Sequence, residues 1–339
     1  MIKNNSMKNL RKIIILLILA FVSMIISISV GSVFISPKEI AAAFLYKIFN
    51  IELIKDLNKI NTDIIFNIRF SHTILAFFTG ASLSITGTII QSILRNPLAS
   101  TYNLGVSSGA GLGVSILIVL GINYSQILYI FSAIAFAFIT IIIILAISKT
   151  IDKYMNNNSI ILAGIIISLF VNSIMSFLTY LFPKYSNRII MWQLGSLSLK
   201  NWNLIFIIIF ITIIFLIISM HYSNVLDIMT FGDNTAYSLG INTKYMKIFF
   251  IIISSFVTSI IVSFVGIIGF IDLASPHIAR KLFSAKHIMV IPMSALIGGI
   301  LLVISDILSR VIIQGSNIPI GIITAVIGAP FFFYIFIKK

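Results

Sequence analysis

What most constrains this chain is a succession of apolar runs, each roughly 18 to 25 residues long, separated by short polar breaks. A helix rising about 1.5 Å per residue needs a run of that length to cross the hydrocarbon layer of a bilayer. Of the 339 residues, 59% are hydrophobic and 9% charged, and the mean hydropathy is +1.13. A water-soluble core cannot hide that much apolar surface. Segments of about ten residues alternating apolar and polar, the mark of a membrane β-barrel, are absent from the sequence. The pattern predicts an all-α polytopic membrane protein with about ten transmembrane helices in a single transmembrane domain over 1–339. The spans fall near 13–35, 70–92, 103–121, 125–148, 159–181, 203–220, 247–267, 268–283, 288–309 and 319–337. The eighth is short, is expected to be interrupted by Pro276, and carries Asp272 and His277.

The net charge of +14 raises nucleic acid as a partner. The basic residues form no single patch, however. They sit at the ends of apolar runs, where lysine and arginine meet lipid headgroups, so membrane lipid is the expected partner and nucleic acid is not. More of the 23 fall in breaks on the side of the termini, which predicts cytoplasmic termini. The stretch after Lys12 is too long for a secretory signal and no Ala-x-Ala site follows it, so it reads as the first span. Cysteine is absent, which excludes disulfides and thiolate metal sites. In the outer break 36–69, Pro37, Lys38 and Glu39 predict a helix start. At one common offset, Ser84, Gly87, Ile89, Leu94 and Pro97 match Ser263, Gly266, Ile268, Leu273 and Pro276. That is a weak internal repeat, about 70–181 against 247–337.

Small residues recur at helical spacing: Gly80, Ser84 and Gly87, then Gly105, Gly109 and Gly113. They let membrane helices approach closely, and the break at Asn96-Pro97 between the two sets predicts a tightly packed helical hairpin. In the break 221–246, Asp233 is placed to cap a short helix through Leu239, and Gly240 to end it in a left-handed turn. Phe231, Ala236 and Leu239 would give that helix an apolar face fit for a partner's groove; an ordinary solvated loop accounts for the same spacing. Arg69 and Arg310 sit at the lips of the second and ninth spans, where interfacial anchoring is the commoner role. Gly105-Val-Ser-Ser-Gly109 fits G-x-S-x-G, but it opens a membrane helix and has no strand before it, so no nucleophile elbow is expected. His72, His221, His277 and His287 lack zinc spacing, and no phosphate-binding G-x-x-x-x-G-K-[ST] loop occurs.

In order along the chain stand Arg69, Gly80-Ala-x-Leu83, Gly87, Gln91, Asn96-Pro-Leu-Ala99 and Leu104-Gly-Val-Ser107 with Gly109-Ala110. Then come Met191-Trp-Gln-Leu-Gly-Ser196, Gly232-Asp233 with Ala236 and Leu239-Gly240, and Pro276-His-Ile-Ala-Arg280. Asp306 with Arg310, Pro319-Ile-Gly-Ile-Ile-Thr324 and Gly328-Ala-Pro330 complete the set. This ordered set resembles the iron-siderophore and cobalamin (FecCD-type) permeases of ATP-binding-cassette importers. The resemblance implies a type II importer permease in a bacterial plasma membrane, carrying a ferric siderophore, haem or cobalamin-like chelate.

It also implies a cytoplasmic ATP-binding cassette subunit that holds ATP and magnesium, no cofactor on this chain, and no enzymatic activity of its own. An extracytoplasmic substrate-binding protein would dock on Arg69, His72 and Arg310, and the chain would pair with a second copy or a paralogue. Coupling to the cassette would fall on Phe231, Gly232, Asp233, Ala236, Leu239 and Gly240. Two departures stand out: His72 replaces an arginine of the family's R-x-P-R, and Asp272 replaces a glycine. The alternative is an ion-coupled secondary transporter. Such proteins carry midplane carboxylates, and here only Asp272 and Asp306 fall near membrane segments.

Overall fold

The computed structural model describes residues 2–31, 34–49, 62–122, 126–153, 155–197, 201–313 and 317–337. Among them, seven helices are long and apolar enough to cross a bilayer, and two shorter apolar helices accompany them. The elements in order are α1 (Ile2–Ser29), α2 (Pro37–Phe49), α3 (Ser71–Ile93), α4 (Val106–Val119), α5 (Gln126–Ile151), α6 (Asn157–Leu181) and α7 (Pro183–Gln193). They continue with α8 (Trp202–His221), α9 (Ser223–Thr230), α10 (Asp233–Ser238), α11 (Thr243–Val265), α12 (Ile271–Leu282), α13 (His287–Val311) and α14 (Ile320–Ile337). A wide π-type turn, Ile64–Phe70, leads into α3. Short helices α2 and α7 lie at one end of the bundle, and α9 and α10 at the other.

The helix start expected at Pro37 is present. Ser36 and Glu39 form a reciprocal capping box: Ser36 N–H donates to Glu39 Oε2 at 2.8 Å and Glu39 N–H to Ser36 Oγ at 3.3 Å. The rest of that outer segment, 50–61, lies outside the described residues.

The centre of the bundle is α3. Its candidate span is the least apolar of the seven, with hydropathy 1.6, yet 83% of it is buried, against 28% for α5, α6 and α8. The polarity is hydroxyl, and most of it is satisfied locally, although Thr79 Oγ1 and Ser82 Oγ are buried without a partner among the described residues. Ser84, Thr88 and Ser92 each donate to the carbonyl four residues back, at 2.7–2.8 Å. Small side chains then let neighbours in. A Cβ on Gly80 would stand 2.2 Å from the Gly298 carbonyl oxygen in α13, and one on Gly87 would stand 1.9 Å from that of Asp272 in α12.

The second glycine set faces elsewhere. Gly109 and Gly113 abut Phe136, Thr140 and Ser132 of α5, while Gly105 opens α4 at φ +77° beside Thr140 and Ile144. The two sets therefore do not form a hairpin against each other. Each helix takes a different partner, because the tight turns at 94–105 separate them.

The eighth span also differs from expectation. The helix breaks before Ile271, through Gly266 (φ +75°) and Phe270 (φ +69°), while Pro276 lies inside α12. Proline removes the bond to the carbonyl four residues back. That carbonyl, Asp272 O, accepts from Gln91 Nε2 at 3.3 Å instead. The broken backbone is buried in protein, as membrane depth requires. Ser196 N–H donates to Val265 O at 2.8 Å and Gly321 N–H to Leu194 O at 2.9 Å, which ties the turn after α7 to the end of α11 and the start of α14.

Candidate functional site: the two ends of the bundle

At the α10 end, α9 buries Leu226 and Met229 in the main core and carries the chain out to Phe231. Gly232 (φ +119°) opens α10 and Gly240 (φ +83°) follows it, both in conformations that L side chains rarely adopt. Phe231, Tyr237 and Leu239 are 76%, 74% and 63% exposed, whereas Ala236 is 0% exposed. The apolar face expected from Phe231, Ala236 and Leu239 therefore needs one correction: Ala236 faces the bundle, and Tyr237 takes its place outward.

Asp233 is not the cap. Gly232 holds that position, its carbonyl accepting from Ala236 N–H at 3.0 Å. The Asp233 carboxylate instead joins Lys247 Nζ of α11 at 2.6 Å and Arg95 Nη2 after α3 at 3.3 Å. Two cations out-compete a backbone N–H because charge-assisted bonds are the stronger ones. Lys247 is nearly fully buried, so the tip is moored to two spans at once. Beside it lies a polar cavity of about 540 Å³ lined by Asn156, Asp233, Asn234, Tyr237, Asn242, Thr243 and Lys244.

At the opposite end, the three residues expected to meet a binding protein turn inward. Arg69 is 5% exposed, and its Nη1 donates to the carbonyls of Ile28 and Ser29, both at 2.9 Å. Arg310 donates to Val30 O at 3.1 Å and Ser27 O at 3.2 Å, and it pairs with Asp306 at 2.9 Å. His72 Nδ1 lies 3.2 Å from the same Asp306 carboxylate. The physical reason is the C-terminus of α1. Its last carbonyls have no intrahelical donor, and two guanidinium groups supply one. Arg69 is thus an internal clasp, while His72, Asp306 and Arg310 still line a cavity of about 200 Å³ with Met191, Ser196 and Asn317. Asp306→Ala would leave Arg310 and His72 without their carboxylate. It is expected to cost about 2 kcal/mol, read as a fall in the thermal transition of the detergent-solubilised protein.

The exposed face of α6 is mixed. Leu169, Asn172, Ser173, Ser176 and Tyr180 share one helical face, open to the outside of the single chain. Ser173 and Ser176 donate to the carbonyls four residues back at 2.8 and 3.0 Å, so it is the Asn172 amide at mid-span that suits a wet passage better than lipid. Among the described residues, no group of three or more His, Asp or Glu is placed to hold a metal ion.

Sequence reasoning missed Arg95 and Lys247 as moorings and Asp227 altogether, and it gave His287 no role. Asp306 and Arg310 stand at i, i+4 spacing, which is the signal that could have found their pair.

The architecture is that of ABC importer permeases. A protein described as a metal-chelate type ABC transporter, solved in an inward-facing conformation, superposes with a TM-score of 0.83 at 25% identity, covering 97% of this chain and 99% of that one. The PsaBC structure from Streptococcus pneumoniae in complex with Fab shares the fold at a TM-score of 0.53 and 17% identity, over 80% of this chain and 90% of its own. The chain belongs to the FecCD transport family, whose model matches residues 16–338. It is similar to the Fe(3+)-citrate import system permease protein YfmE of Bacillus subtilis, 35% identical over 98% of this chain and 97% of that protein. It is also similar to the hemin transport system permease protein HmuU of Yersinia pestis, 31% identical over 80% and 83%.

Proposed function

We propose that this chain forms the membrane-spanning half of an importer that carries a ferric chelate into the cytoplasm, driven by a separate ATP-hydrolysing subunit. The observation that carries the reading is the uncovered tip of Phe231, Tyr237 and Leu239, moored through Asp233 to α3's end and to α11. An apolar knob on a rigid mooring at the basic, cytoplasmic end fits the groove of a nucleotide-binding partner. The citrate and hemin permeases among its relatives support an iron chelate as cargo. ATP and magnesium belong to the partner, since this sequence has no phosphate loop.

Two such chains, identical or paralogous, would face each other across the polar stripe of α6. A neutral passage of amide and hydroxyl groups passes a large chelate without trapping it. At the outer end, a substrate-binding protein would meet the cavity rim at His72 and Arg310 rather than Arg69. An ion-coupled mechanism finds less support, because the family and relatives are those of importer permeases and, of its two candidate carboxylates, Asp306 is already paired with Arg310 and His72.

The test is uptake into vesicles holding permease, cassette and binding protein, comparing ferric citrate, hemin and cobalamin. ATP-dependent accumulation of an iron chelate supports the reading; accumulation by the permease alone overturns it. Within that assay, Gly240→Val forces a branched side chain into a left-handed turn at about 1–2 kcal/mol, with no neighbour within 4 Å to clash. Uptake per ATP is expected to fall severalfold, and Gly240→Asn, which tolerates that turn, to retain it.

A further inference from the structure

The histidine that no motif explained joins three elements at the α10 end. His287 opens α13. Its backbone N–H donates to Asp227 Oδ1 of α9 at 2.9 Å, and its Nδ1 lies 2.5 Å from the same oxygen. Its Nε2 lies 2.5 Å from Ser92 Oγ, one residue from the end of α3. Arg280 of α12 closes the ring, donating to Gln91 Oε1 at 2.6 Å and to Ser92 Oγ at 3.4 Å. His287 and Ser92 are almost fully buried, so this is no exposed triad open to a substrate.

From that ring, α3 and α13 run together for the full depth of the bundle. Thr88 Oγ1 and Ser294 Oγ lie 2.8 Å apart. Higher up, Gly80 and Gly298 meet backbone to backbone, leaving no room for a Cβ on either. At the far end the pair is tied again, His72 of α3 to Asp306 of α13. Hydrogen bonds at both ends and a close contact in the middle oppose both sliding and separation.

We propose that α3 and α13 act as one rigid lever, with Asp227 and His287 as its handle on the cytoplasmic side. A push on the Phe231–Leu239 tip passes through α9 to Asp227 and from there to the joined starts and ends of the two spans. The lever's outer end carries His72, Asp306 and Arg310, three walls of the outer cavity. Nucleotide state at one face of the membrane is thereby linked to the shape of the docking rim at the other. His287 and Asp227 are positioning residues: they touch no cargo and no nucleotide. A demonstrated element that both ends bias is what such coupling requires.

This inference rests on the importer reading above, and its test separates the two. The chain has no cysteine, so a T88C/S294C pair is unique in it. Oxidation of that pair in the assembled importer is expected to leave ATP-driven uptake within about twofold of the reduced protein, because the two helices do not move apart. A block of uptake that dithiothreitol reverses would overturn the lever. In the same vesicles, D227A and H287A are expected to keep cassette binding and basal ATP hydrolysis. Their uptake per ATP, and the stimulation of hydrolysis by loaded binding protein, should fall at least about tenfold. H287N, which keeps a donor where Nδ1 stood, should recover much of the loss. Unchanged uptake per ATP in both alanine variants would also overturn the proposal. If either alanine variant does not assemble, the crosslink alone decides. Absence of ATP-driven uptake in the unsubstituted importer would instead refute the importer reading itself.

Discussion

The double substitution F231E/L239E is expected to leave a permease that folds and inserts normally but no longer retains the ATP-hydrolysing partner proposed for it. Both side chains are mostly exposed and belong to no internal core, so the bundle loses nothing when they become charged. The partner's groove, in contrast, would have to bury two carboxylates without a counter-charge. Central apolar anchors of a docking surface are worth about 2 kcal/mol or more apiece, so loss of both is expected to drop affinity by about 1,000-fold. Co-purification of the cassette from detergent, with size-exclusion of the permease as the folding control, reads both halves of the prediction. Undiminished capture would mean that the tip is not the contact. Ala236→Glu should behave differently, because Ala236 is buried against the bundle and a charge there damages the permease itself.

Gly87→Leu is expected to abolish the folded protein. A Cβ at Gly87 would lie 1.9 Å from the Asp272 carbonyl oxygen, an atom of the backbone that no rotamer change can move aside. Separating α3 from α12 to make room would also pull Gln91 from the carbonyl that Pro276 leaves free. Gly87→Ala is already expected to cost about 3 kcal/mol, the upper range for overpacking, and the leucine exceeds that. Gly269→Ala is the matched control, since nothing lies within 4 Å of its position. The measurement is the yield of monodisperse protein in mild detergent. Near-normal yield from the leucine variant would show that α3 and α12 are not in register as described.

The run lengths placed nearly every span to within a few residues, and the left-handed turn at Gly240 was legible from spacing alone, whereas the cap of α10 falls on Gly232 and not on Asp233. What the sequence could not show was which helix each face meets. In water, a helix announces its inner face by an apolar stripe. In lipid the outer face is apolar too, so α5 and α8 read the same all round. The glycines of α3 and α4 were visible, but their partners in α12, α13 and α5 were not. Arg69 and Arg310 looked like surface charge because nothing in the sequence says that the end of α1 arrives beside them with unsatisfied carbonyls. The break before Ile271 was assigned to Pro276 because proline is the stronger local signal. Gln91, a full half-chain away, is what lets the proline remain helical. His287 and Asp227 are far apart in sequence, and no motif links them.

The hydroxyl-laden character of α3 bears on how the polypeptide is made. A segment of hydropathy 1.6 partitions from the translocon into lipid more reluctantly than neighbours at 3.0. Its closest companion, α13, is synthesised some two hundred residues later. During most of translation the future centre of the molecule is therefore an orphan, sheltered only by transient neighbours. Nascent chains released before α13 emerges should be preferred clients of membrane quality control, whereas loss of α14 alone should be better tolerated.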